Sequence, residues 1–426
     1  MYEMYNIMTV SNIQEANWSS LLARFQPIFN DIERGAVERE IHRQLPFEQV
    51  KQLLDAGFGR VRIPVDRGGF GASLPQYLLL LTALAKADSN IAQIFRAHSA
   101  FIEAELLQNN VEIQERWFPI LVQGGFIGAA MSEKIAATDV TVYLEKKEEG
   151  GWILNGKKYY STGTLYADWM TVYAKYENEL AIVMVQTTAQ GVTRLDDWDG
   201  FGQRLTGSGT TIYDHVDIPE HHLIRFFGKD GMPSGEFMAA YFQLYHLATL
   251  AGIVQAELRD AIAYTLSRTR TFRVPGETSP RQDPLVQRII GRISSIAYAI
   301  DAIVRQNAGS LEQYIQGQHR PIGVSNVEEP IDVRVYQAQQ IILGLAQEAS
   351  GLIFEVGGAS SVSRKLQLDR HWRNVRTLAS HNPASQREQA LGNFYLNNVE
   401  PTVALHVLQQ AVTEKLQVKE SVSLPS

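Results

Sequence analysis

The hydrophobic period of this chain changes twice, and that double switch limits the folds open to it. From about Ile13 to Gln123 apolar residues recur at three- and four-residue spacing, as in FEQVKQLLDAGF and PQYLLLLTALAKAD. That spacing puts one face of an α-helix against a core. The loop RIPVDRGGFGAS interrupts it with Pro64, Gly68, Gly69 and Gly71, and Ser73 stands where the next helix would need an N-cap. Between Phe126 and about Phe227 the apolar runs shorten and alternate, in TVYLEKK, GWILNGKKYY, WMTVYAKY, LAIVMVQ and GTTIYDHVDI, which reads as half-buried strands. Asn155-Gly156 predicts a type I′ hairpin turn, because both central residues of that turn need positive φ. Trp152 and Tyr160 would then lie on neighbouring strands. From about Met238 the helical period returns in YFQLYHLATLAGIVQAELRDAIAYTLSRTR and later segments, whose broad apolar faces suit a four-helix bundle and subunit association. The expectation is an α+β protein with an all-helical domain over 1–125, a β domain over 126–235 and a helical bundle domain over 236–426.

Composition removes several kinds of chemistry. A chain of 426 residues, 45% apolar, has ample material for a core. Its formal net charge of -7 gives no basic field for a phosphate backbone, so no nucleic-acid partner is expected. The absence of cysteine excludes disulfides, thiolate nucleophiles and cysteine metal sites, leaving flavin or acid/base chemistry. The N-terminus MYEMYNIMTVSNIQEANW carries no export or transit pattern, and runs such as YLLLLTALA are too short to span a bilayer. A cytoplasmic protein with no membrane partner is expected. RGGFGAS lacks the dinucleotide fingerprint. The His221-His222 pair has no third ligand at metal-like spacing, so no metal is expected.

The order of helical, β and helical thirds resembles the acyl-CoA dehydrogenase superfamily across nearly the whole chain. NGKKYYSTG (Asn155 to Gly163) is similar to its flavin strand; the resemblance implies that Tyr160 packs on the flavin and Thr162 faces its N5 edge. AAMSEKIAATD (Ala129 to Asp139) resembles its flavin-binding loop, implying contacts from Met131, Ser132 and Thr138, with Glu133-Lys134 replacing the family's Glu-Pro. YTLSRTRTF places Arg268, with Arg270 as a second candidate, where dehydrogenases present an Arg to a neighbouring subunit's cofactor. The sharper resemblance is to the flavin-dependent monooxygenase branch, typified by dibenzothiophene monooxygenase and sulfur-scavenging relatives. DDWDGFGQRLTGSGT (Asp196 to Thr210) implies flavin contacts from Trp198 and Ser208, and DRHWRNVRTLASHNP (Asp369 to Pro383) implies that His381 is the active-site histidine. Leu378 stands where the dibenzothiophene enzyme has a further His. DSNIAQIFRAHSAF (Asp88 to Phe101) resembles the helix lining the pocket, with His98 pointing inward.

The residues divide the two chemistries of this superfamily. A dehydrogenase needs a carboxylate to take the proton α to a thioester, and the usual C-terminal Glu followed by Gly-Thr is absent; Asp260 or Glu257 would be the alternatives. A monooxygenase needs reduced flavin whose C4a adds dioxygen, a dry pocket and a proton donor near the peroxy group. His381 and Thr162 would supply that donor set, His98 being a further candidate, with Phe95, Tyr160, Trp198 and Trp372 excluding water. The resemblance implies reduced FMN, with FAD possible, delivered by an NAD(P)H-dependent flavin reductase, a small organosulfur or similarly soft substrate, and a homotetramer. An acyl-CoA dehydrogenase with FAD and a displaced base is the alternative; a non-catalytic relative that keeps the fold is a third.

Overall fold

The computed structural model describes residues 17–133, 141–177, 179–227, 235–269, 279–318 and 328–402. Six helices open it: α1 Trp18–His42, α2 Phe47–Asp55, α3 Leu74–Ala87, α4 Ser89–Ile94, α5 Arg96–Gln108 and α6 Val111–Val122. Ser73 caps α3 as expected, in a capping box with Gln76, so two otherwise orphaned backbone N–H groups are satisfied. The segment resembling the pocket helix is two helices, broken at Phe95.

Eight strands follow: β1 Ile127–Ala130, β2 Tyr143–Lys146, β3 Trp152–Lys158, β4 Trp169–Tyr176, β5 Glu179–Gln186, β6 Val192–Arg194, β7 Thr211–Ile218 and β8 Leu223–Phe227. They form one sheet in the order β6-β7-β3-β2-β4-β5-β8, with β1 parallel to β4. The hairpin expected at Asn155-Gly156 is absent. Both residues lie inside β3, at a bulge opposite β7 where the register shifts between Leu154 and Gly156. Trp152 and Tyr160 therefore belong to one run of chain. Gly156 takes φ 126°, and a Cβ there would meet the Thr141 carbonyl oxygen at 2.2 Å. An Asn-Gly pair serves a bulge as well as a turn because both need that backbone freedom.

The last third holds α7 Gly235–Ser267, α8 Pro284–Ile315, α9 Ile331–Leu352, α10 Asp369–Ala379 and α11 Ala384–Asn397. Helix α7 packs against α3, α8, α9 and α10, which explains why its sequence is apolar on all sides. Contrary to the expectation that no apolar stretch could span a bilayer, α7 is long and apolar enough to do so; 89% of its most apolar window is buried inside the protein. One continuous core joins α1, α3, α4 and α5 to α7, α8, α9 and α10. A second core fills the sheet.

Candidate active site

The chain just past β3 turns through Tyr160 in a left-handed conformation, φ 58°. That geometry buries Tyr159 at 4% exposure and leaves the Tyr160 ring 47% exposed. Tyr160 meets Trp198 with centroids 6.0 Å apart at 64°. Below them three hydroxyls form a chain: Thr162 Oγ1 lies 2.7 Å from Ser208 Oγ, which lies 2.7 Å from Thr206 Oγ1. Thr206 in turn donates to the Gln203 carbonyl. Ser132 accepts a backbone bond from Tyr159 at 2.9 Å, and Lys158, ion-paired with Glu133 at 2.6 Å, donates to the Met131 carbonyl. Met131, Ser132, Tyr160, Thr162, Trp198 and Ser208 thus converge. Thr138 and Arg270 lie outside the described residues.

What aims the hydroxyl chain is the DRHWRN segment, a role that its resemblance to a signature did not reveal. Asn374 on α10 accepts from the Gln203 N–H at 2.6 Å and donates to Ser89 Oγ at 3.1 Å. Arg373 donates to the Phe201 carbonyl at 3.0 Å and pairs with buried Glu40 at 2.5 Å. A Cβ on Gly202 would lie 2.1 Å from the Arg373 carbonyl oxygen, so the loop rests directly on α10. Arg370 and His371 bind Asp260 at 2.6 and 2.8 Å. Burial opposes ionisation of Asp260, but the His371 hydrogen bond and the charges around it outweigh burial and hold the carboxyl well below the usual range.

Around His381, in the turn between α10 and α11, a second group gathers. Its ring lies 4.4 Å from that of His246 on α7. Asn382 donates to Gln243 Oε1 at 2.9 Å, which turns its own Oδ1 toward His381 Nδ1 at 3.3 Å. This network assigns the proton to Nδ1 and leaves Nε2 as an acceptor. Arg387 donates to Gln243 and, at 2.9 Å, to Gln339. His381 is exposed, with His246 and Asn382 packed against its ring. Partial burial, then Arg96 and Arg387, lowers its pKa, so the imidazole is neutral.

A largely apolar pocket of about 50 Å³, open on one side, lies between α5, α7 and the sheet, lined by Ala97, Ala100 and Ala104 of α5, Ala129 and Met131, and Met238 and Phe242 of α7, with the Glu105–Arg225 ion pair at its wall.

Other expected site residues stand elsewhere. His98 is 2% exposed; its Nε2 meets the Gly59 carbonyl at 2.6 Å and its Nδ1 accepts from the Ile127 N–H at 3.2 Å. With both nitrogens engaged by backbone it clamps α5 to the sheet and offers no proton to a ligand. Phe95 is buried among Phe58 and Phe126, and Trp372 stacks on exposed Phe201, so neither dries the pocket. Arg268, just past the C-terminal end of α7, donates to the Val356 carbonyl; the contact expected of it is with a neighbouring subunit's cofactor. Glu257 and Asp260 lie about 16 and 21 Å along α7 from His246 at the helical rise. Glu257 is buried beneath a Ser350 hydrogen bond, and burial raises its pKa to about 8.

Three family matches tile the chain: the acyl-CoA dehydrogenase N-terminal domain over residues 26–125, the middle domain over 128–216 and the C-terminal domain over 244–386. The chain belongs to the acyl-CoA dehydrogenase family. It falls in the monooxygenase branch of that fold. It is 28% identical to a dibenzothiophene monooxygenase of Mycolicibacterium goodii, over 86% of this chain and 91% of that protein. It is 25% identical to the probable FMNH2-dependent monooxygenase SfnC of Pseudomonas putida, over 90% and 97%. The structure of methanesulfinate monooxygenase MsuC from Pseudomonas fluorescens superposes with a TM-score of 0.78 at 26% identity, covering 89% of this chain and 97% of that one.

Proposed function

We propose that this protein is a two-component flavin-dependent monooxygenase. It takes reduced FMN from an NAD(P)H-dependent flavin reductase and uses dioxygen to oxygenate a small organosulfur or similarly soft substrate. The observation that carries this reading is a neutral, exposed histidine, His381, in the turn between α10 and α11, while both carboxylates that could serve a dehydrogenase, Glu257 and Asp260, are locked into the helical core.

The residues around Tyr160 fit the flavin. An exposed aromatic face beside Trp198 suits a planar heteroaromatic ring, and the Ser132, Thr162 and Ser208 hydroxyls suit its polar edge. Reduced FMN, when bound, supplies the two electrons that dioxygen requires. His381 holds its proton at Nδ1 against Asn382 and offers Nε2 to an incoming O–H, so it can take a proton and return it. The apolar walls of Met238, Phe242 and Met131 offer a substrate a pocket that keeps water away. Exposed Leu285 and Tyr298 on α8 and Ile341 on α9 suit burial against further copies of the chain, as in a homotetramer.

The test is anaerobic stopped-flow mixing of protein and reduced FMN with oxygenated buffer. A transient near-ultraviolet band before oxidised flavin appears is the expected result. Oxidation at the rate of free flavin, with bleaching of bound FAD by an acyl-CoA, would replace this reading with the dehydrogenase.

A further inference from the structure

We propose that Arg96, with His246, His381 and Arg387, forms an oxyanion subsite, and that the substrate carries a compact anionic head group (sulfinate, sulfonate or carboxylate) on a short apolar chain. This names the substrate class for the monooxygenase reading and rests on it.

Arg96 opens α5, and its guanidinium lies over the Phe242 ring at 4.6 Å. Among the described residues it has no carboxylate partner, and its Nε is buried without an acceptor. Three guanidiniums drawn into this protein show the usual match: Arg39 with Asp88 at 2.9 Å, Arg62 with Glu103 at 2.5 Å and Arg370 with Asp260 at 2.6 Å. Removing a charge from water without a counter-charge is expensive. A second observation points the same way. His246 is 1% exposed, and neither of its ring nitrogens has a hydrogen-bond partner, although a neutral imidazole has both a donor and an acceptor to satisfy. Arg387 adds charge without neutralising any, its partners being the amides of Gln243 and Gln339 and the face of Tyr336 at 4.3 Å. The cluster is short of both negative charge and acceptors, and an oxyanion supplies the two together.

The pocket gives the rest of the ligand. Ala97 follows Arg96 directly and Phe242 lies one helical turn before His246; both line the apolar pocket with Ala100, Ala104, Met131 and Met238. A head group held at the basic end therefore directs its chain along small and aliphatic side chains.

The experiment is calorimetric titration with propane-1-sulfonate and, as a neutral counterpart, diethyl sulfone, with and without saturating oxidised FMN. It compares wild type, Arg96→Met and Arg96→Lys, with FMN affinity measured in parallel by fluorescence. We expect wild type to bind the sulfonate in preference to the sulfone, Arg96→Met to bind it about thirtyfold or more weakly, and Arg96→Lys to fall between. Equal binding of sulfone and sulfonate, binding of neither, or unchanged sulfonate affinity in Arg96→Met would overturn the proposal. A loss confined to FMN affinity would also overturn it, by assigning Arg96 to the cofactor. If Arg96→Met does not fold, Arg96→Lys and the wild-type preference decide the matter. Anion binding needs no oxygen chemistry, so an absent stopped-flow transient would sink the monooxygenase reading while leaving this result to stand or fall separately.

Discussion

His246 in the middle of α7 and His381 in the turn after α10 lie with their rings 4.4 Å apart at 47°. One is fully enclosed and the other is exposed. The pair joins the buried central helix to the turn before α11, and it frames the first prediction.

His381→Ala is expected to lower oxygen transfer by about 10² to 10⁴, the usual contribution of a positioned acid/base group, with little change in melting temperature because the ring edge is exposed. Single-turnover product yield beside a thermal melt checks this. A large fall in Tm would make His381 a structural residue.

His98→Ala should do the reverse. Losing two buried hydrogen bonds to backbone and leaving a small cavity costs about 2 to 4 kcal/mol, while FMN affinity per folded molecule holds. Chemical denaturation with flavin titration separates the two; unchanged stability with lost turnover would return His98 to catalysis.

Acid should destabilise the protein through the same residue. Burial pushes the His98 pKa down to about 4, below its unfolded value of about 6.5. The unfolded chain therefore takes up the proton first. Its stabilising effect is complete above about pH 6.5 and drains as pH falls toward 4, by up to about 3 kcal/mol. Unfolding free energies between pH 7 and 4.5 should fall less steeply in His98→Ala, and parallel slopes would contradict the assignment.

Asn374→Ala should weaken FMN binding about tenfold although Asn374 does not line the pocket, because it anchors Gln203 and through that loop aims Thr206 and Ser208. Asn374→Asp, which keeps the acceptor for the Gln203 N–H, should recover part of the loss. Equal affinity in wild type and Asn374→Ala would remove the anchor from the argument.

Ser208→Ala breaks the hydroxyl chain from Thr162 to Thr206. More hydrogen peroxide released per FMN oxidised is the expected result, at a stability cost of about 1 kcal/mol. A peroxide assay at saturating substrate reads it, and unchanged coupling would mean the chain only braces the loop.

The alternation of helical and strand periods determined the order of helical, β and helical regions, since burial of one face repeats every 3.6 residues in a helix and every two in a strand. Local chemistry was legible too, as in the Ser73 cap and the placing of Tyr160, Thr162, Trp198 and Ser208 in one region. The Asn155-Gly156 bulge was not, because positive φ is a property shared by turns and bulges and only strand pairing distinguishes them. Nor were the partners of His98, Asn374, Arg96 and His246. Whether a histidine is satisfied, or a guanidinium matched, depends on groups brought from distant parts of the chain, and those distances exist only after α5, α7, α10 and the sheet have packed. The sequence by itself determined the elements and their residue types; the tertiary structure decided which polar groups are paired, and so which of them remain for a ligand.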